Sequence, residues 1–185
     1  MVNKRILLIL AIIIILVGVF FIESNTVYKL IYPKKHSEYV SKYAEEFNID
    51  ENLVYSVIKA ESKFRSDAIS NKGAKGLMQI SDITRNWAIE ELQLGKIDVF
   101  DPETNIKIGC WYLNKLFKEF GDVNLVIAAY NGGSGNVSKW LENREYSQDG
   151  EKLHNIPFRE TDNYVNKVNK NYEMYNKIYC KEGIN

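Results

Sequence analysis

The sequence predicts an all-α domain preceded by one N-terminal transmembrane helix. Three features predict it. The chain opens with an apolar run over residues 6–22, interrupted only by Gly18. After about Ser37, apolar residues recur at the three- and four-residue spacing of one helical face. Alternating apolar and polar runs, the mark of half-buried strands, are scarce. At 185 residues the chain has room for one domain and an appendage. Its 24 basic residues balance 24 acidic ones, which excludes the basic field of a nucleic-acid binder.

The apolar run sits at the lower limit for crossing a bilayer as a helix, and residues 26–32 extend it toward the interface. A cleaved signal peptide is the competing reading. The run ends Val19-Phe20-Phe21-Ile22-Glu23, which offers no small-x-small cleavage site, so an uncleaved anchor is favoured. Lys4 and Arg5 precede it, placing the N-terminus in the cytoplasm and the rest outside a single-pass anchor. The expected organisation is a cytoplasmic end at 1–5, the anchor at 6–22, a linker at 23–36, the domain at 37–180 and a tail at 181–185. Without Lys4 and Arg5, the outer part holds 22 basic residues against 24 acidic, a balance that does not favour anionic lipid.

The helices of the domain follow from their punctuation. Tyr39, Val40, Tyr43, Ala44 and Phe47 form one stripe, broken at Asn48-Ile49-Asp50. Asp50 then caps a helix carrying Leu53, Val54, Val57, Ile58 and Glu61. A loop of small and polar residues covers 66–76, and Ser81-Asp82 opens a helix to about Leu94. Asp101-Pro102-Glu103 joins a capping side chain, a proline for the first turn and an acid near the positive helix end. That helix stops at Gly121, and Asp122 caps the next, which ends at Tyr130-Asn131-Gly132-Gly133. A short helix near 137–141, a polar surface loop over 142–155 and a last helix from about Thr161-Asp162 complete six to eight helices.

Glu61 stands out. It continues the row Val54, Val57, Ile58, so a carboxyl group replaces an apolar residue on the inward face. It also lies in the last helical turn, where the negative end of the helix dipole opposes another negative charge. Both effects predict a raised pKa, as a general acid requires. A fraying helix end with Glu61 turned to solvent beside Lys59 and Lys63 is the plain alternative. Gly73 and Gly76 bracket a loop leading into Leu77-Met78-Gln79-Ile80, where Gln79 offers donor and acceptor. With the Tyr130-Asn131 turn, these residues outline a cleft of amide, hydroxyl and aromatic groups suited to sugars.

Four strings resemble the soluble lytic transglycosylase family, a branch of the lysozyme-like fold related to goose-type lysozyme. They are Glu61-Ser62-x-Phe64-Arg65-x-x-Ala68-x-Ser70-x-x-Gly73-Ala74-x-Gly76-Leu77-Met78-Gln79-Ile80, Asp101-Pro102-x-x-Asn105-Ile106-x-x-Gly109, Ala128-Ala129-Tyr130-Asn131-Gly132-Gly133-x-Gly135, and Glu160-Thr161-x-x-Tyr164-Val165. One departure is Ser81-Asp82-Ile83-Thr84 where the family often has a proline-containing turn.

The resemblance implies a lysozyme-like domain that cleaves the β-1,4 bond between N-acetylmuramic acid and N-acetylglucosamine, leaving 1,6-anhydro ends. It implies Glu61 as the single catalytic acid/base, with Ser70, Met78, Gln79, Tyr130, Asn131, Glu160 and Tyr164 on the substrate. No metal or cofactor enters that chemistry. The partners it implies are peptidoglycan glycan strands, and the place is the bacterial cell membrane with the catalytic domain facing the wall. Two rivals remain: a hydrolytic lysozyme, which needs a second carboxylate from among Asp67, Asp82, Asp101 and Glu160, and an idle wall-binding scaffold. Of these acids, Asp82 and Asp101 are better explained as caps. Cys110 and Cys180 either form one disulfide in an oxidising compartment or stay as two buried thiols.

Overall fold

The computed structural model describes residues 4–23 and 25–179, with side chains described outside 19–25. Among the described residues the chain is all-helical: α1 (Lys4–Glu23), α2 (Asn25–Ile31), α3 (Ser37–Glu46), α4 (Glu51–Glu61), α5 (Asp82–Glu91), α6 (Pro102–Phe120), α7 (Val123–Gly132), α8 (Ser134–Glu142) and α9 (Arg159–Tyr179). The caps fall where the sequence puts them. Asp50 accepts from the amides of Asn52 and Leu53, Asp101 from Thr104, and Asp122 from Asn124 and Leu125. Gly121 closes α6 at φ 70°, the left-handed conformation glycine tolerates.

Three boundaries differ from the expectation. Serine 81, not Asp82, caps α5, its hydroxyl accepting from the Thr84 amide, while Asp82 pairs with Lys75 and Arg85. That helix ends at Glu91, short of Leu94, because Gln93 turns left-handed at φ 51°. The polar loop is followed by a helix already formed at Arg159, since the Asp162 amide bonds back to the Phe158 carbonyl.

α4 is the buried centre. Its residues 52–58 are all buried, and the helix packs along α9. Sequence periodicity predicts one apolar stripe, yet Ser56 is buried as fully as Val57. The polar side chains are accommodated by hydrogen bonds: Ser56 donates to the Asn52 carbonyl, and Asn171 of α9 donates to the Ser56 carbonyl. Tyr55 stacks on Tyr175 at 5.5 Å between ring centroids.

Among the described residues, no helix is long and apolar enough to cross a membrane. The described apolar side chains of α1 run over 6–18, about 20 Å of helix against a hydrocarbon core of roughly 30 Å. Residues 6–17 nonetheless carry a row of exposed Ile, Leu and Val with no protein face against them. The segment after α2 docks on the domain: Tyr175 donates to the Pro33 carbonyl, Tyr179 to that of Tyr32, and Lys59 to that of Ile31. Cys110 is fully buried, and Cys180 lies outside the described residues, so the choice between a disulfide and two thiols lies outside them too.

The loop between α4 and α5 is braced from α6. Two isolated antiparallel bridges, Ile69 with Lys75 and Lys75 with Ile80, fold it back on itself. Asn105, fully buried on α6, accepts from the Met78 amide at 2.8 Å and donates to the carbonyls of Lys75 and Val99. Gly76 has φ 78°, and a Cβ there would lie 2.2 Å from the Asn105 side-chain nitrogen. Replacing Asn105 with Ala strands one buried donor and two carbonyls, so Asn105→Ala should lower stability by about 3 kcal/mol. Urea denaturation checks this. A loss of only a few tenths would show that the loop does not hang on Asn105.

Candidate functional site

Glu61 is the last residue of α4, and Ser62 follows as its C-cap, with the Ser62 amide and hydroxyl both donating to the Ile58 carbonyl. The chain then takes two consecutive left-handed residues, Lys63 and Phe64, at φ 53° and 65°. This sharp turn leaves Glu61 half-buried instead of fraying into solvent. Burial pushes its carboxyl up to about 7. The Tyr164 hydroxyl and the Lys167 ammonium pull it part of the way back, and Glu160 adds a push upward.

Two tyrosines surround this acid. Tyr164, from α9, has a buried hydroxyl that stands beside Glu61 and stabilises its charge, although among the described residues the pair falls short of full hydrogen-bond geometry. Tyr130, from the end of α7, donates to the Met78 carbonyl at 2.9 Å. Burial first, and then the Glu61 charge, hold both phenols well above their ordinary pKa, so both remain protonated donors.

Tyr130 also lines a hollow of about 340 Å³ with Gln79, Ile83, Tyr112 and Asn131. Glu61 does not line this hollow; its tie to it is Tyr130, which feels the carboxylate's charge. Gln79 sits at φ 51°, and its side-chain nitrogen donates to the carbonyls of Ala68 and Gly76 at 3.1 and 2.9 Å. Its donor capacity is thereby spent, and its oxygen remains as an acceptor. Asn131 is held the opposite way. Its oxygen accepts from the Thr161 hydroxyl at 2.9 Å, which leaves its amide hydrogens to donate.

The other expected residues are placed less centrally. Ser70 accepts from the Ala74 amide at 3.0 Å and keeps its hydroxyl proton. Met78 has no exposed surface; its sulfur fills the space over Gly109, where a Cβ would come within 2.1 Å. It lies beneath the cleft wall. Glu160 is exposed and pairs with Lys72 at 3.1 Å, joining the start of α9 to the loop after α4. Of the other acids, Asp67 is exposed, Asp82 is held by Lys75 and Arg85, and Asp101 caps α6.

Three residues of this arrangement escape the sequence reading. Asn105 and Thr161 stand inside the quoted strings, and only burial reveals that they position others. Lys167 stands in none. Its ammonium donates to the Ala60 carbonyl beside Glu61. Its spacing of three residues after Tyr164 on α9 is the signal that puts both on one face.

The profile of the family described as "Transglycosylase SLT domain" matches residues 38–153. The soluble lytic murein transglycosylase of Salmonella typhimurium is 32% identical over 143 residues, 74% of this chain and 22% of that protein. The membrane-bound lytic murein transglycosylase C of Pectobacterium atrosepticum is 30% identical over 173 residues, 77% of this chain and 47% of its own. Among solved structures, the 70 kDa soluble lytic transglycosylase of Escherichia coli superposes with TM-score 0.71 at 27% identity, covering 81% of this chain and 25% of that one. An inactive glutamate-to-glutamine mutant of lytic transglycosylase Slt from Pseudomonas aeruginosa gives 0.70 at 26% identity, covering 80% and 25%. The chain thus spans about a quarter of the soluble relatives and about half of the membrane-bound one.

The raised Glu61 pKa has a consequence for stability. With a folded value near 7 against an ordinary 4.5, the folded state holds the proton over a range where the unfolded state has lost it. Stability therefore falls as pH rises from 4.5 through 7, by on the order of 3 kcal/mol in total. In Glu61→Gln this loss is absent. Thermal melts should show the variant's advantage growing between pH 5 and 8 and then levelling. A pH-independent difference would mean that Glu61 is ordinarily hydrated.

Proposed function

Given that the chain belongs to the Transglycosylase SLT domain family, we propose that it is a lytic transglycosylase of peptidoglycan with Glu61 as its only acid/base. One observation carries this reading: a carboxyl group poised near 7 beside two protonated tyrosines, one of which lines a hollow edged by an acceptor and a donor. The P. aeruginosa relative, inactive as a glutamate-to-glutamine mutant, supports an essential glutamate in proteins of this kind.

The substrate is the β-1,4 bond between N-acetylmuramic acid and N-acetylglucosamine. Protonated Glu61 gives its proton to the bridging oxygen as the bond to the muramic anomeric carbon breaks. The substrate's own 2-acetamido oxygen stabilises that carbon, so no second protein carboxylate is needed. The C6 hydroxyl of the same sugar then attacks the anomeric carbon and passes its proton to ionised Glu61. The product is a 1,6-anhydro end, and the acid is restored. Holding the C6 hydroxyl within reach gives it the advantage over water.

The remaining residues orient the sugar. The free Asn131 amide hydrogens donate to the acetamido carbonyl, and the Gln79 oxygen accepts from the sugar. Tyr164, whose hydroxyl stands beside Glu61, donates to the acetamido group or to ionised Glu61. Ser70 offers its hydroxyl proton, and Tyr130 presents its ring and holds the Met78 carbonyl. Met78 backs this wall, while Glu160 with Lys72 forms the rim.

We assign α1 as a single-pass anchor, with the domain on the wall side of the bacterial membrane. Lys4 and Arg5 before the apolar run and the exposed Ile and Leu of α1 support this, as does a membrane-bound relative of about twice the length.

The purified full chain, incubated with cell-wall sacculi, should release muropeptides with 1,6-anhydro ends detectable by mass spectrometry. Glu61→Gln should lower the rate by roughly 10²- to 10⁴-fold, and activity should fall as pH rises above 7, where the acid is lost. Reducing ends would reveal hydrolysis instead. Undiminished activity in Glu61→Gln would sink the assignment of the acid.

A further inference from the structure

A hollow of about 470 Å³, larger than the one beside Gln79, opens between α2, α4 and α9. Five lysines line it: Lys29, Lys35, Lys59, Lys63 and Lys167. Among the described residues no carboxylate does. The near-neutral net charge of the domain conceals this cluster, which forms only when three separate segments meet. Like charges so gathered repel one another. Burial, and then the charges of Lys63 and Lys167, hold the Lys59 ammonium below its ordinary pKa. Two of the cations are nevertheless fixed in place, Lys59 by the Ile31 carbonyl and Lys167 by the Ala60 carbonyl. Each bond uses one of three ammonium protons, leaving two to donate elsewhere.

The lip of the hollow is apolar. Leu30 and Ile31 line it and stand 78% and 51% exposed. A cationic pocket with exposed aliphatic side chains at its mouth has the chemistry of a headgroup site at a bilayer surface. It is also made from α2, the helix that directly follows α1.

We infer that this hollow binds a phosphate-ester anion, and that its apolar lip suits it to the headgroup of an anionic phospholipid. The lipid assignment rests on the reading of α1 as a membrane anchor; the anion site does not. An occupied site offsets the lysine repulsion and pins α2, the end of α4 and the middle of α9 together at the membrane face.

The test is calorimetric titration of the full chain in neutral maltoside micelles with short-chain phosphatidylglycerol, short-chain phosphatidylcholine and sn-glycerol 3-phosphate. Phosphatidylglycerol should bind roughly tenfold or more tightly than phosphatidylcholine. Lys35→Glu/Lys63→Glu, which alters two lysines at the site and leaves the bonded Lys59 and Lys167 in place, should abolish that preference. Lys35→Gln/Lys63→Gln, with an unchanged thermal melt, should weaken it. If glycerol phosphate binds as tightly as the lipid, the anion site stands and its occupant is a soluble phosphate ester. No preference for either anion over phosphatidylcholine, or a preference that survives Lys35→Glu/Lys63→Glu, overturns the inference. Glu61→Gln should bind lipid like the wild type, so this result is independent of the catalytic assignment. Alkaline carbonate extraction of membranes separately tests the anchor.

Discussion

A carboxyl group loses much of its preference for ionisation when its water is taken away, and Glu61 is placed where that loss is compounded. The negative end of α4 opposes its charge, and Glu160 opposes it again. Tyr164 and Lys167, both from α9, work in the other direction. The outcome near 7 is a balance between these pulls, set by the packing of α9 along α4. The hydrogen bond from Asn171 to the Ser56 carbonyl locks that packing from within. Slide α9 by one turn and both compensating groups leave the acid.

Positioning around the acid comes from residues that never reach the cleft surface. Asn105 holds the loop that carries Gln79, Met78 fills the gap that Gly109 leaves on α6, and Thr161 turns the Asn131 amide. Each hydrogen-bonding pair has one orientation that satisfies both partners. Gln79 must point its nitrogen at two carbonyls, so its oxygen is presented outward by elimination. An amide whose orientation is enforced this way is preorganised, and it needs no reordering to accept a hydrogen bond from a ligand.

Much of this was legible in the sequence because the responsible signals are local. Asp50, Ser81, Asp101 and Asp122 announce helix starts through their own side chains, and Gly121 announces a stop. Glu61 was legible as well, since a carboxyl on an apolar row is visible without coordinates. What stayed hidden depends on pairing between distant segments. Ser56 lies off the apolar row of α4, and nothing local shows that it is fully buried. Gln79 reads as both donor and acceptor until Ala68 and Gly76 claim its nitrogen. Met78 reads as part of the cleft until Gly109 is seen to receive it. The lysine hollow is the extreme case, for its members come from three segments and cancel in every net-charge count.

The same docking constrains where the domain acts once α1 is taken as the anchor. Glu23 closes α1, and the chain is already fastened to the domain by Ile31, Tyr32 and Pro33 through Lys59, Tyr179 and Tyr175. Even fully extended, the stretch from Glu23 to Ile31 reaches no more than about 30 Å, and as a helix it reaches less than half of that. Most of it is helical, as α2. A flexible tether of the same length would let the domain search outward, whereas this one is spent on contacts with α4 and α9. On that reading the reach of Glu61 from the bilayer is set by the domain's own dimensions, and the proposed cleavage would be confined to glycan strands lying close to the membrane.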